Sequence, residues 1–133
     1  MPATHHNIPG QTPPPGSSHA TVAPAGRTVH LSGQPGTDAE GNVVPGGLAA
    51  QTEQAVRNVA LALDAAGARP EDVVKTTFYV VDWKPALIEA LVGGAMAARQ
   101  DHAFPDAAVT LIGVQSLFTP DMLVEVEVVA VVE

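Results

Sequence analysis

Residues 122–132 read MLVEVEVVAVV, and the strict alternation of their side chains determines most of the fold. A period of two predicts a β-strand. One face is entirely apolar and consists of Met122, Val124, Val126, Val128, Ala130 and Val132. The opposite face is mixed and consists of Leu123, Glu125, Glu127, Val129 and Val131. This strand therefore belongs to a sheet with one fully apolar face and one face that is partly apolar and partly acidic.

Two helices are predicted upstream of this strand. Residues 48–66 repeat their buried-type side chains every three or four positions, which is the pattern of an amphipathic helix. Gly67 is expected to cap that helix, and Pro70 follows as a further barrier. A second helix is predicted from the turn at Pro85 to about Arg99, weakened by the pair Gly93-Gly94.

The remaining strands are predicted from β-branched and aromatic runs. Residues 73–81, VVKTTFYVV, give the clearest of these, and residues 107–115 give another. Two short strands are predicted at 19–23 and 27–32, on either side of the turn Pro24-Ala25-Gly26. The elements together predict an α+β fold in which a mixed sheet packs against two helices.

Two helices cover only one face of such a sheet, so Val129 and Val131 on the second face would be exposed in a single chain. An exposed apolar patch usually marks an interface, which favours an oligomer with Glu125 and Glu127 near its edge. The alternative is a strand buried on both faces within one chain.

Length and composition limit the possible functions. The 133 residues predict a single domain, taken as 17–133, after a flexible arm over 1–16 that is rich in Pro, Gly and His. A net charge of −8 disfavours a nucleic-acid partner. No apolar run reaches the roughly 20 residues that span a bilayer, and residues 1–15 lack a signal-peptide core, so we expect no membrane contact and a cytoplasmic location.

Metal and thiol chemistry find little support in the sequence. The chain has no cysteine, which excludes disulfides, thiolate nucleophiles and cysteine-ligated zinc. The adjacent pair His5-His6 suggests either a metal ligand or simple surface histidines, and the second interpretation is favoured. We therefore expect no metal site.

Four segments in the order of these elements resemble the YjgF/Rid family. They are HLSGQ at 30–34, QTEQAVRNV at 51–59, AAGARPEDVVKTT at 65–77 and VEVEVVA at 124–130. The resemblance covers the chain from about residue 17 to its end. It implies a chorismate-mutase-like fold that assembles as a homotrimer, with clefts for a small-molecule metabolite between neighbouring subunits. It also implies hydrolysis of reactive enamines or imines without any metal or organic cofactor.

The family's site is only partly retained in this sequence. Its arginine, which binds the substrate carboxylate, lies in a Pro-Ala-Arg-Ser/Thr motif that here reads FPDAAVTLIGV at 104–114. Alignment on Thr110 to Val114 places Val109 at the arginine position, alignment on Pro105 places Ala107 there, and no Lys or Arg follows Arg99. An uncompensated substrate carboxylate would be costly to desolvate, so a neutral or apolar ligand is expected.

The other site residues are carried over from the resemblance. Glu125 matches the family's catalytic glutamate and His19 aligns with its tyrosine. Glu125 is either a general base for water or a structural carboxylate, and His19 is either a substrate contact or a surface histidine. Ser32 and Gly33 border the cleft or simply form a turn, and Tyr79 lines the cleft or packs. The activities that remain open are imine deamination, ligand binding without catalysis and, less compatible with the acidic charge, ribonuclease activity.

Overall fold

The computed structural model describes residues 2–133 and places a mixed sheet against two α-helices, so the predicted α+β fold is confirmed. The elements are β1 (Thr4–His6), β2 (Ala20–Val22), β3 (Arg27–His30), β4 (Gln34–Pro35), α1 (Gly47–Ala65), β5 (Val73–Val81), α2 (Ile88–Arg99), β6 (Ala108–Val114) and β7 (Val124–Val132). Short 3₁₀ turns at Pro70–Asp72 and Pro85–Leu87 precede β5 and α2.

The strand predicted from MLVEVEVVAVV lies in the middle of the main sheet. The strand order is β3-β7-β5-β6, and β4 pairs with the same edge of β7 as β3 does, further along the strand. β5 and β6 run parallel and are joined through α2, whereas β7 is antiparallel to its neighbours. Because β7 has partners on both edges, its two faces determine what lies on each side of the sheet.

The apolar face of β7 packs against the helices, as predicted. Val124, Val126, Val128 and Ala130 are all buried there, together with Val80 of β5. Helix α1 contributes its predicted stripe to the same core, including Val56, Val59 and Leu63. The core is thus built from Val, Ala and Leu.

Helix α1 ends at the glycine that the sequence indicated. Gly67 adopts a positive φ of 77°, its N–H bonds the carbonyl of Asp64 at 3.0 Å, and the N–H of Ala68 bonds that of Leu63 at 2.9 Å. This pair of bonds is the Schellman arrangement, which requires a left-handed residue at that position. The prediction of Gly67 as the C-terminal cap is therefore confirmed.

A glycine in α2 sets how closely the two helices approach. A Cβ atom at Gly94 would lie 2.8 Å from Cβ of Thr52 and 3.0 Å from the backbone nitrogen of Glu53. Such distances are too short for carbon atoms, so any larger residue would separate the helices. Helix α2 runs without a break through Gly94, and the absence of a side chain there lets α2 pack on α1.

The second face of the sheet, which we call the open face, is less apolar at β7 than the sequence suggested. Val131 is only 8% exposed, because the turn before β3 covers it, and a Cβ atom at Gly26 would lie 3.1 Å from its Cγ1. Exposure of Val131 in a single chain is thus wrong. The open face instead exposes Ile112 of β6 by 41%, while Val129 is half-buried.

The N-terminal segment is more structured than a loose arm. Its strand β1 pairs antiparallel with β2, from Thr4 opposite Val22 to His6 opposite Ala20. The two strands on either side of Pro24–Gly26 exist but pair with β1 and β7, not with each other. This pairing was not predictable, because Pro and Gly in residues 1–16 mask the short β-favouring stretch. Within residues 2–133, no helix has the length and hydropathy needed to cross a membrane.

Candidate functional site

The open face carries a cluster of polar side chains at the centre of the sheet. Tyr79 of β5 lies directly opposite Glu125 of β7, and its hydroxyl donates to Oε1 of Glu127 at 3.2 Å. The two carboxylates are half-buried, so they are partly shielded from solvent. We call Glu125, Glu127, Tyr79 and Gly33 the acidic site.

Gly33 completes this site by being small. A Cβ atom at position 33 would lie 2.5 Å from Cδ and 2.7 Å from Cγ of Glu125. Any side chain there would displace the carboxylate. Ser32 next to it is exposed, and its carbonyl accepts a bond from the side-chain amide of Gln34 at 3.1 Å. The structure thus places Gly33 beside Glu125, with Ser32 next to it in the chain.

Two amide side chains of α1 hold the segments that build the acidic site. Asn58 donates from Nδ2 to the carbonyls of Pro35 and Thr37, both at 2.9 Å. Buried Gln51 donates to the carbonyl of Asp121 at 3.1 Å and accepts from the N–H of Leu123 at 2.9 Å. These bonds explain the Gln and Asn of the 51–59 motif, since they fix the turn at Gly33 and the start of β7.

A separate apolar cavity of about 400 Å³ lies on the other side of the sheet, between the strands and α2. Its walls are aliphatic and aromatic, and include Phe78, Leu91, Val92, Met96 and Leu111. Val109 also lines it, because Val109 pairs with Thr76 and so points to the helix side. Val109, one of the two positions that could align with the family's arginine, therefore contributes an apolar wall to this cavity.

His19 lines the same cavity and is held by the N-terminal segment. Its Nδ1 accepts a hydrogen bond from the backbone N–H of Ile8 at 2.9 Å, and its own N–H donates to Oδ1 of Asn7 at 3.0 Å. Because Nδ1 accepts this hydrogen bond, the single ring proton of the neutral imidazole is on Nε2. His19 thus offers one N–H donor.

Arg99, which the sequence pattern marks only as the end of a helix, lines the cavity. Its Nη2 donates to the carbonyl of Phe104 and to Oδ1 of Asp106, both at 2.8 Å, and its Nη1 reaches the carbonyl of Gly16 at 3.5 Å. These contacts hold a cation in the wall of the cavity that Val109 also lines. A possible signal was the lone Arg at the end of an apolar helix, followed closely by Asp106.

The predicted site residues therefore form two groups within one chain. Glu125, Tyr79, Ser32 and Gly33 gather at the open face, whereas His19 and Val109 line the cavity on the helix side. Val128 of β7 also lines the cavity. Because Glu125 and Val128 are three residues apart on the same strand, their side chains lie on opposite faces of the sheet. The structure does not bring Glu125 and His19 together. Among residues 2–133, no group of three or more potential ligands could hold a metal ion.

The acidic site also changes the ionisation of Tyr79. The hydrogen bond to Glu127 raises the pKa of the phenol above its usual range, and partial desolvation and the charges of Glu127 and Glu125 act in the same direction. Because the pKa of Tyr79 is higher in the folded than in the unfolded state, the protonated phenol stabilises the fold, and this stabilisation is complete at neutral pH. It is lost only as the pH rises through the folded-state pKa, above about 10.

We expect Glu127→Gln to lower the pKa of Tyr79 towards its unperturbed value, because it removes the charged acceptor. Tyr79 is the only tyrosine in the chain, so tyrosinate absorbance reports it alone. Glu125→Gln is the matched control and should lower the pKa less, since the charge of Glu125 is the smallest contribution. Circular dichroism at each pH verifies folding. An unchanged titration curve in Glu127→Gln would contradict the hydrogen bond.

Comparisons with known proteins agree with this architecture. Residues 11–132 match the family model described as endoribonuclease L-PSP. The 2-iminobutanoate/2-iminopropanoate deaminase of Rattus norvegicus is 46% identical over 57 residues, so the match spans only 42% of either chain. The Dermatophagoides farinae protein of the same name is 28% identical over 124 residues, 91% of each chain. A solved Rid-family protein of unknown function from Yersinia pestis is 38% identical, with a TM-score of 0.87 over 99% of this chain and 100% of that one.

Proposed function

Because this chain belongs to the YjgF/Rid family, we propose that it is a RidA-like hydrolase of small reactive imines or enamines. The reaction adds water across the C=N bond of an imine and releases a carbonyl compound and ammonia. Glu125 acts in it as the general base, and no metal or organic cofactor takes part. The names of the deaminase relatives support this reaction class, and the retained Glu125 is the observation that carries it.

The acidic site suits activation of water. The carboxylate of Glu125 is half-buried, lies opposite Tyr79 and is free of any side chain at Gly33. We propose that it accepts a proton from the water that attacks the imine carbon. That proton passes to the imine nitrogen, and a second proton, from the hydroxyl group now on the carbon, reaches the nitrogen as the C–N bond breaks, so that ammonia leaves and a carbonyl group remains. Tyr79 holds Glu127 by its hydrogen bond and so keeps the second carboxylate away from Glu125.

The active unit that we propose is a homotrimer. Glu125 and His19 lie on opposite sides of one sheet, so a single chain does not offer both to one ligand. A cleft between subunits would unite the acidic site of one protomer with the His19 side of its neighbour. Exposed Ile112 on the open face supports such an interface. The cytoplasm is the compartment in which we expect this trimer to work.

The apolar residue at the arginine position changes which substrate fits. A charge-assisted hydrogen bond contributes about 1.5–3 kcal/mol, so its loss from β6 weakens binding of a small anionic imine. Val109 and Leu111 offer apolar surface instead. The same observation favours a second candidate function, a trimeric module that binds a small molecule without catalysis. RNA cleavage, named in the family model, is disfavoured by the net charge of −8.

The test is an assay of keto-acid release from imines generated in the reaction mixture. We expect faster hydrolysis than in buffer, with imines of branched apolar amino acids preferred over 2-aminoacrylate, because the apolar walls of the cavity can bury the branched side chain. Boiled protein and Glu125→Gln serve as controls. No acceleration with any imine, together with a ligand-induced rise in melting temperature, would reject the hydrolase and support the binding module.

A further inference from the structure

The apolar cavity between α2 and the sheet has unused hydrogen-bonding capacity at its polar end. Arg99 has five N–H donors, and its bonds to Phe104, Asp106 and Gly16 use three of them among residues 2–133. His19 adds the N–H of Nε2, because its Nδ1 already accepts from Ile8. The polar end therefore offers donors, and Arg99 there also bonds the exposed carboxylate of Asp106.

The size and lining of the cavity define which ligand group fits in its apolar part, away from those donors. A volume of about 400 Å³ is at the small end of the range for ligand sites. Phe78, Leu91, Val92 and Leu111 form the apolar part. A ligand that satisfies both parts has a compact apolar body and a head group that accepts hydrogen bonds.

We propose that Arg99 replaces the missing β6 arginine as the anion-binding residue, and that the cavity takes the branched side chain of a small 2-keto or 2-imino carboxylate. The carboxylate bonds to the unused N–H groups of Arg99 beside His19, and the aliphatic side chain lies along Val109 and Leu111. Asp106 competes for the same guanidinium and so keeps the anion affinity moderate. This inference names the substrate class of the proposed function and, in that respect, rests on it.

The competing role of Asp106 gives the proposal a distinctive signature. If Arg99 binds the ligand, removal of the Asp106 charge frees the guanidinium, and anion binding becomes tighter. If Arg99 only ties Phe104 and Gly16 to α2, loss of either member of the ion pair loosens the cavity and weakens binding. The two roles therefore predict opposite signs for Asp106→Asn.

Calorimetry with three stable probes tests this. We expect 4-methyl-2-oxopentanoate to bind about 50-fold more tightly than pyruvate, from three additional buried carbons at about 0.8 kcal/mol each. Arg99→Gln should weaken its binding at least about tenfold, since a hydrogen bond to a charged group is lost. The neutral ketone 4-methyl-2-pentanone should be unaffected by that substitution. Asp106→Asn should tighten keto-acid binding, and Arg69→Gln, a change at an exposed arginine, should leave it unchanged.

Three results would overturn the proposal: equal keto-acid affinity in Arg99→Gln and Arg69→Gln, weaker binding in Asp106→Asn, or no binding of the branched keto acid. Because Arg99 also bonds two backbone carbonyls, melting curves accompany each variant, and Asp106→Asn decides the matter if Arg99→Gln unfolds. Calorimetry needs no turnover. Binding that depends on Arg99 without any hydrolysis would refute only the proposed function, whereas hydrolysis with an Arg99-independent KM would refute only this inference.

Discussion

Replacement of Glu125 by glutamine is expected to lower kcat for imine hydrolysis by about 10²- to 10⁴-fold, the range contributed by a positioned general base. Glutamine keeps the size and the hydrogen-bonding reach of the side chain but does not take a proton from water. The glutamine side chain has room beside Gly33, as the glutamate has, so the fold should persist. KM should change little, because the proposed ligand contacts lie at His19 and Arg99.

Glu127→Gln is the matched control for this prediction. Glu127 lies two residues away on the same face and accepts the bond from Tyr79. Its replacement should cost no more than about fivefold in kcat, the equivalent of one ordinary hydrogen bond. Equal losses in the two variants, or full activity in Glu125→Gln, would contradict the assignment of Glu125 as the base.

Mixed trimers extend the test to the arrangement of the site. If each site combines Glu125 of one protomer with His19 of the next, Glu125→Gln chains and His19→Ala chains each lack one member of every site. Randomly assembled from equal amounts, they should restore about one quarter of the sites, because a neighbouring pair then carries both native residues. No recovery in trimers of demonstrated mixed composition would contradict a site shared between Glu125 of one protomer and His19 of the next.

Much of the fold was predictable because it depends on local pattern. The period of two in β7, the three-and-four spacing of α1 and the cap at Gly67 each act within a few neighbouring residues. The structure reproduces them closely, including strand β5 at residues 73–81. The resemblance added the family, and through it the choice of Glu125 as the candidate catalytic residue.

The rest depends on contacts between distant parts of the chain. The burial of Val131 follows from the turn at Gly26, and the strand over residues 4–6 exists because β2 offers it a free edge. The role of Arg99 becomes visible only when Gly16 and Phe104 are brought to the same end of α2. No periodicity in the sequence encodes which loops meet, so these features required coordinates.

Replacement of Ile112 by glutamate is expected to convert the proposed trimer into folded single chains at micromolar concentration. Burial of an isoleucine side chain contributes about 1.5–3 kcal/mol, and an unpaired carboxylate in an apolar interface adds a desolvation cost, in three copies per trimer. Ile112 is 41% exposed in the single chain, so the substitution leaves the core intact. Sedimentation velocity measures the assembly, and circular dichroism measures the fold.

Leu61→Glu is the matched control, because Leu61 is 67% exposed on α1, on the helix side of the molecule away from the open face. It should remain a trimer. The monomeric Ile112→Glu chain would still contain Glu125 and His19, although its new carboxylate would lie beside Tyr79. If Ile112→Glu is monomeric and still active, the site is complete within one chain. Catalysis then needs no neighbouring subunit at the open face.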